Sequence, residues 1–136
     1  MTCLCASTRQ AARLLSRNFE DHLRLAGLTP AQCELLSNIH FRPNKSQTEL
    51  AELLNTDQTT LSRNLRLLSQ RKWVAATRSK LDRRLSGYQL TALGERVWAD
   101  GQVHWKQADR QIRAALGDDW ETAVAMIDRI IAAASS

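Results

Sequence analysis

Proline and glycine are scarce in this 136-residue chain, at two and five residues. That scarcity argues against a disordered, low-complexity segment and against a turn-rich β-sandwich. Cysteine occurs three times, too few and too odd a number for a disulfide framework. No apolar run approaches the roughly 20 residues needed to span a bilayer. The opening Met1-Thr2-Cys3-Leu4-Cys5 soon gives way to charge, so no secretory leader is expected. A soluble, reduced, cytoplasmic domain with no membrane partner is the expectation. The three histidines are scattered, and no G-x-S-x-G, P-loop, H-E-x-x-H or dinucleotide fingerprint is present. An enzyme is therefore not expected, nor a cofactor, nor a standard metal site.

What the chain does have is enough apolar sequence (43%) for one domain's core, and a basic excess with a location. Its formal net charge is +5. Residues 58–88 hold Arg63, Arg66, Arg71, Lys72, Arg78, Lys80, Arg83 and Arg84 against Asp82 alone, a net +7. The other residues carry 11 basic and 13 acidic side chains, a net −2. Charge runs are usually solvated faces, but a +7 segment on a slightly acidic chain favours a polyanion partner.

Hydrophobic spacing divides the chain into helices with one interruption. Ala11, Ala12, Leu15, Phe19 and Leu23 recur at helical spacing and predict a helix from Thr8 to about Ala26, closed by Gly27. Thr29-Pro30 reads as an N-cap and first helical residue, opening a helix to about His40. Ser46 or Gln47 begins a short helix through Leu54, and Asn55-Thr56-Asp57 turns the chain into another from Gln58 to about Arg71. Val74–Arg78 and Ser86–Leu90 then predict two strands around a polar, basic tip. Beyond Thr91 a stripe of Leu93, Val97, Gly101, His104, Ala108 and Ile112 marks a long helix. Gly117 breaks it, and Asp118 is expected to cap a last helix with Trp120, Val124, Ile127 and Ile131 on one side.

The segment Ser46–Arg71 reads as a helix-turn-helix. At 100° per residue, Leu61, Leu65 and Leu68 lie within about 60° of one another and form a buried stripe. Thr59, Arg63, Arg66 and Gln70 fall on the opposite side, with Thr60 and Ser62 flanking. Such a face offers the donors that base edges and phosphates require. By itself it is also what any amphipathic helix presents. The adjacent hairpin adds weight, because its tip carries Lys80, Arg83 and Arg84 within reach of a minor groove, and Asp82 is placed to pair with Arg84. The predicted fold is mainly α with a small β-hairpin wing: a winged helix-turn-helix with terminal helices.

The runs Gly27-Leu28-Thr29-Pro30-Ala31-Gln32, Glu49-Leu50-Ala51-Glu52-Leu53-Leu54 and Asp57–Leu65 resemble the MarR family, the multiple-antibiotic-resistance regulators. Asp82-Arg83-Arg84 followed by Leu90-Thr91-Ala92-Leu93-Gly94 completes the resemblance, which covers nearly the whole chain in order. It implies a single 1–136 unit, with a winged helix-turn-helix over 30–90 and dimerisation segments 1–25 and 91–136. The interlocking helices would be 4–25, 91–116 and 118–133. It further implies a homodimer on a palindromic site in double-stranded DNA, acting as a transcriptional regulator of the repressor kind. Thr59, Thr60, Ser62, Arg63 and Arg66 would enter the major groove, and Arg83 or Arg84 the minor groove. Ser46, Thr48 and Gln58 would help hold the backbone, and Lys80 and Asp82 would complete the wing. One departure stands out: many relatives carry glycine just before the first wing strand, where this chain has Lys72-Trp73. A winged-helix module that binds protein instead of DNA is the alternative of a different class.

The signal such a regulator would read is a separate question. Cys5 falls where the family's organic-hydroperoxide sensors carry their reactive cysteine. Those relatives supply tyrosine hydroxyls at positions matched here by Arg9 and Phe19, so the site is not identical. Arg9, four residues after Cys5, and a helix N-terminus would both favour a thiolate. Cys3, Cys5 and Arg9 are thus candidates for a switch responding to oxidant, electrophile or soft metal, whereas Cys33 reads as a small buried hydrophobe. In the competing reading a phenolic or amphipathic effector binds between the terminal helices and the winged domain, near His40, Trp98, His104 and Trp105.

Overall fold

The computed structural model describes residues 2–78, 80–81 and 84–135. Helix α1 spans Leu4–Leu23 and passes through a 3-10 turn at Arg24–Ala26 into α2, Pro30–Phe41. Helices α3, Gln47–Leu54, and α4, Gln58–Gln70, are followed by strands β1, Val74–Arg78, and β2, Leu85–Leu90. Helix α5, Ala92–Leu116, leads through a 3-10 turn at Gly117–Asp119 into α6, Trp120–Ala134. The element order and the winged fold agree with expectation.

Caps explain why these boundaries were readable. Thr29 and Ser46 each close a capping box, with Gln32 and Glu49 reaching back to the cap amides. Asp57 caps α4 by accepting from the Thr60 amide at 2.8 Å. Two ends differ from what spacing and capping residues predict. α1 begins at Leu4, as the family resemblance implies, and four residues before the Thr8 start read from periodicity, because the repeat itself begins only at Ala11. Asp118 does not cap α6: it lies within the 3-10 turn, and the N-cap, Asp119, makes no side-chain capping bond.

Three helix ends share one geometry, in which a left-handed residue lets two amides reach back to the helix's last free carbonyls. After the Arg24–Ala26 turn the left-handed residue is Gly27, with Leu28 N bonded to Leu23 O and Gly27 N to Arg24 O. After α3 it is Asn55, and after α4 it is Lys72, at φ 62°. Lysine thus occupies a position that glycine would fill without strain, and it carries a Cβ into a region that L-residues avoid by roughly 1–2 kcal/mol.

The core consists of Leu23, Leu28, Cys33, Leu35, Leu36, Ile39, Leu50, Ala51, Leu61, Leu65, Leu68 and Val74. It therefore lies among α2, α3, α4 and the start of β1, with Trp73, Tyr88, Leu90, Val97, Trp98 and Trp105 packed on its margin. β1 and β2 pair antiparallel from Val74↔Leu90 to Thr77↔Gly87, with an irregularity between Thr77 and Arg78. The chain at Asn44-Lys45 adds to the outer edge of β2, bonding Tyr88 in both directions at 2.8 and 3.1 Å. Gly87 permits that approach, since a Cβ there would collide with the Asn44 backbone.

On α5 the buried positions are Gly94, Gly101 and Ala108. Leu93, placed first on the expected stripe, is exposed instead; it is displaced by Gly94, whose bare Cα meets the Trp73 carbonyl. α6 buries no residue within the chain: Val124, Ile127 and Ile131 are 41%, 48% and 47% exposed. α1 buries only Leu23. Among the described residues no helix is long and apolar enough to cross a membrane.

The left-handed Lys72 yields a stability prediction. Lys72→Gly removes the Cβ strain and adds chain entropy to the unfolded state, with a net gain of about 0.5–1 kcal/mol. The urea midpoint should rise with an unchanged slope; a fall would mean that the lysine side chain stabilises the turn more than its backbone strains it.

Candidate nucleic-acid interface

α4 is held by Leu61, Leu65 and Leu68, each nearly fully buried, so its opposite face must meet solvent. That face forms a shallow concavity of about 410 Å3 lined by Gln58, Thr59, Ser62, Arg63 and Arg66. Thr59, Arg63 and Arg66 are exposed and Ser62 is half-buried. Neither arginine has an ion-pair partner among the described residues, so their guanidinium donors are available to a ligand.

The amino ends of α3 and α4 are brought together by side chains. Gln47 Nε2 donates to Gln58 Oε1 at 3.1 Å, and Gln58 Nε2 lies 3.4 Å from Thr48 Oγ1. Ser46, Thr48, Gln58 and Thr59 thereby form one continuous polar edge. Gln47 was not among the expected site residues; its only signal was its place directly after the Ser46 cap. Two expected residues already have structural work. Ser46 Oγ accepts from the Glu49 amide at 3.1 Å, and Thr60 donates its hydroxyl proton to Asp57 Oδ2 at 2.9 Å. Thr60 can therefore offer a ligand its methyl group and lone pairs more readily than its proton.

The hairpin extends from the C-terminal end of α4. Lys80 and Arg84 are exposed near its tip. Asp82 and Arg83 lie outside the described residues, and with them the expected Asp82–Arg84 pair. Arg71 sits over the Trp73 ring at 5.0 Å, which places that cation beside the root of the wing.

The candidate sensing residues are elsewhere, on α1. Cys3 is its N-cap, Cys5 its second residue and Arg9 a turn later, and all three are exposed. Between the two thiols, Leu4 borders an apolar groove of about 470 Å3 shared with Met126, Arg129, Ile130, Ala133 and Ala134 of α6. Cys33 is buried, and burial, followed by the nearby Glu34 charge, pushes its thiol up to about 11. It stays protonated at neutral pH. Among the described residues no group of three His, Cys, Asp or Glu is placed to hold a metal.

The aromatic candidates divide between two seams of α5. Toward α2, His40 stacks on Trp98 at 3.6 Å and its Nδ1 lies 2.7 Å from Glu95 Oε2, while Trp98 Nε1 donates to Ser37 Oγ. Toward α1, Trp105 meets Phe19 at 4.5 Å. His104 Nδ1 is buried without a hydrogen-bond partner among the described residues.

The family model described as MarR family matches residues 26–85. Among solved structures, the M. tuberculosis transcriptional regulator MosR in complex with DNA is 30% identical. It has a TM-score of 0.86, covering 98% of this chain and 97% of that one. The transcriptional repressor CouR bound to a 23-mer DNA duplex is 26% identical with a TM-score of 0.84, covering 96% and 92%. CouR bound to p-coumaroyl-CoA shares the fold at 24% identity and a TM-score of 0.83, covering 96% and 91%. No curated protein matches the sequence.

The caps of the two interface helices predict a pH response. Hydrogen bonds from the Thr60 amide and hydroxyl hold the Asp57 carboxyl below its ordinary value, and bonds from Ser46 and Lys45 do the same for Glu49. A depressed carboxylate stabilises the fold above its unfolded value of about 4, and that contribution is lost as pH falls through the folded value. Asp57→Asn keeps a capping side chain but removes the titration. Urea midpoints taken from pH 7 to pH 3 should fall less steeply for Asp57→Asn than for the wild type. Parallel curves would refute the assignment.

Proposed function

The chain belongs to the MarR family, and from that premise we propose that it is a homodimeric, DNA-binding transcriptional repressor that reads a palindromic site with α4 and the wing. The observation that carries this reading is the polar face of α4, where two unpaired arginines stand beside Thr59 and Ser62 over a leucine stripe that cannot turn outward. An arginine on such a helix can be bidentate to guanine in the major groove, and the Ser46–Thr59 edge supplies neutral donors to phosphates. Lys80 and Arg84 extend the cationic surface along the wing, with Asp82 and Arg83 completing it in sequence. Residues 30–90 would form the reading unit, and 1–25 with 91–136 the dimer. Support for a dimer comes from the apolar faces of α1 and α6, which a 15.3 kDa chain leaves open.

Release of DNA requires an agent that favours one dimer geometry over another; affinity equal for both shifts nothing. Modification of Cys5, with Cys3, by oxidant, electrophile or soft metal is the first reading, supported by two exposed thiols at the start of α1 beside the α6 groove. The second is a phenolic or amphipathic effector at the α2–α5 seam, supported by the His40–Trp98 stack.

Two measurements test these readings. With a duplex selected from a random pool by the wild-type protein, Arg63→Ala should weaken binding by about 1–3 kcal/mol and spare a random duplex. Equal loss on both would make Arg63 a phosphate anchor, and wild-type binding insensitive to salt would contradict the cationic footprint. Peroxide, quinone or arsenite should reduce DNA affinity of the wild type and leave Cys5→Ser bound. An equal response in both proteins would remove Cys5 from the mechanism.

A further inference from the structure

The C-terminal end of α4 and the first turn of α5 are joined by a clamp that neither the DNA face nor the sensing residues explain. Thr91 N donates to Trp73 O at 3.0 Å, and Thr91 Oγ1 donates to Lys72 O at 2.6 Å, with Trp73 O a further 3.3 Å contact. The same hydroxyl accepts from Gly94 N at 3.0 Å, so it caps α5 while holding the turn that ends α4. Buried Gly94 lets α5 come down on that turn, since a Cβ there would drive into the Trp73 carbonyl. Trp73 N is bonded in turn to Leu68 O, the last buried leucine of α4. A continuous chain of hydrogen bonds therefore runs from the α4 core stripe, through the left-handed Lys72, to the start of the long terminal helix.

We propose that Thr91 is a positioning residue that fixes the angle of α4 against α5, and with it the pose of the base-facing side chains in the dimer. The proposal rests on the DNA-binding reading and goes beyond it by naming what couples the reading helix to the dimer helix. The lever is long. At 1.5 Å per residue, Thr59 lies ~18 Å along the axis from Arg71 at the clamp. A tilt of about 10° at the clamp would move Thr59 by ~3 Å, beyond the distance tolerance of a hydrogen bond. Phosphate attraction acts over longer range and is far less sensitive to such a tilt. A loosened clamp should therefore cost discrimination between duplexes more than it costs general DNA affinity.

The two tasks of the hydroxyl can be separated by substitution. Aspartate is an effective N-cap but, when ionised, only accepts; Thr91→Asp keeps the cap of α5 and removes donation to Lys72 O. Thr91→Ser keeps both. In the full-length protein, Thr91→Asp should lower the ratio of selected-duplex to random-duplex affinity by about tenfold, the scale of one lost bidentate base contact, while Thr91→Ser matches the wild type. A second readout needs no DNA. Spin labels at exposed Gln70 and Ala99, in a Cys3→Ser and Cys5→Ser background diluted with unlabelled protein, report the α4–α5 distance within one chain. The distribution should broaden in Thr91→Asp and return to wild-type width in Thr91→Ser. An unaltered duplex ratio and distance in Thr91→Asp would overturn the proposal, as would a serine variant as defective as the aspartate. A wild-type protein that selects no duplex would instead overturn the DNA-binding reading, and the label distances would still judge the clamp.

Discussion

The burial of Leu61, Leu65 and Leu68 is the constraint on which the rest of the interface depends. Each leucine taken out of water contributes about 1.5–3 kcal/mol, so rotating α4 to expose them would forfeit most of a small domain's net stability. With that stripe locked onto the core, the helix has one orientation about its axis, and Thr59, Ser62, Arg63 and Arg66 have one side to occupy. The neighbouring caps fit the same packing. Ser46 starts α3, Asn55 ends it, and Asp57 starts α4 after a three-residue turn, so the Gln47–Gln58 bond aligns the two amino ends beside the cationic surface.

Charge and packing are thus divided between different parts of one chain. The +7 segment from residue 58 to 88 coincides with α4 and the hairpin, whose inner faces supply Leu61, Leu65, Leu68 and Val74 to the core. On α4 its cations Arg63 and Arg66 are carried outward by a helix whose other side is buried. A flexible segment of the same charge would attract a polyanion but would have to order itself on binding, at an entropic cost that this arrangement avoids. The mild basic excess of the whole chain conceals this, since the remainder is slightly acidic.

Most of the fold was legible because its signals are local. Thr29-Pro30, Ser46 with Glu49, and Asp57 each announce a helix start within four residues, and the leucine spacing of α4 gives its buried side directly. What was not legible depends on partners distant in sequence. Nothing around Leu93-Gly94 indicates that the glycine is the buried one; that follows from the Trp73 carbonyl some twenty residues earlier. Lys72 disguises a left-handed turn, because the residue type that usually marks it is absent, and the bonds from Leu68 and Thr91 hold it there instead. Thr60 looked like a free hydroxyl on a recognition face, yet its proton goes to Asp57, a capping choice that only geometry reveals. The start of α1, which the resemblance gives, is invisible to periodicity, and the entry to α6 escaped for a related reason: neither has a capping side chain to mark it.

The contrast between the two halves of the molecule bears on how a regulator of this shape would respond to a signal. The winged unit is closed within one chain, with a dense core and satisfied helix ends. The terminal helices are not: α6 buries nothing and α1 buries one residue. In the proposed dimer their apolar faces are covered by the partner chain and not by the winged unit, so they can rearrange without unfolding that unit. The exposed thiols of Cys3 and Cys5 lie in that looser half, whereas Cys33 is held protonated within the tight one. A signal received at α1 can reach α4 by way of α5. The backbone clamp at Thr91 and the side-chain seam of His40, Trp98 and Ser37 are two places where it can do so, and of these the clamp is the one bonded directly to the turn that ends α4.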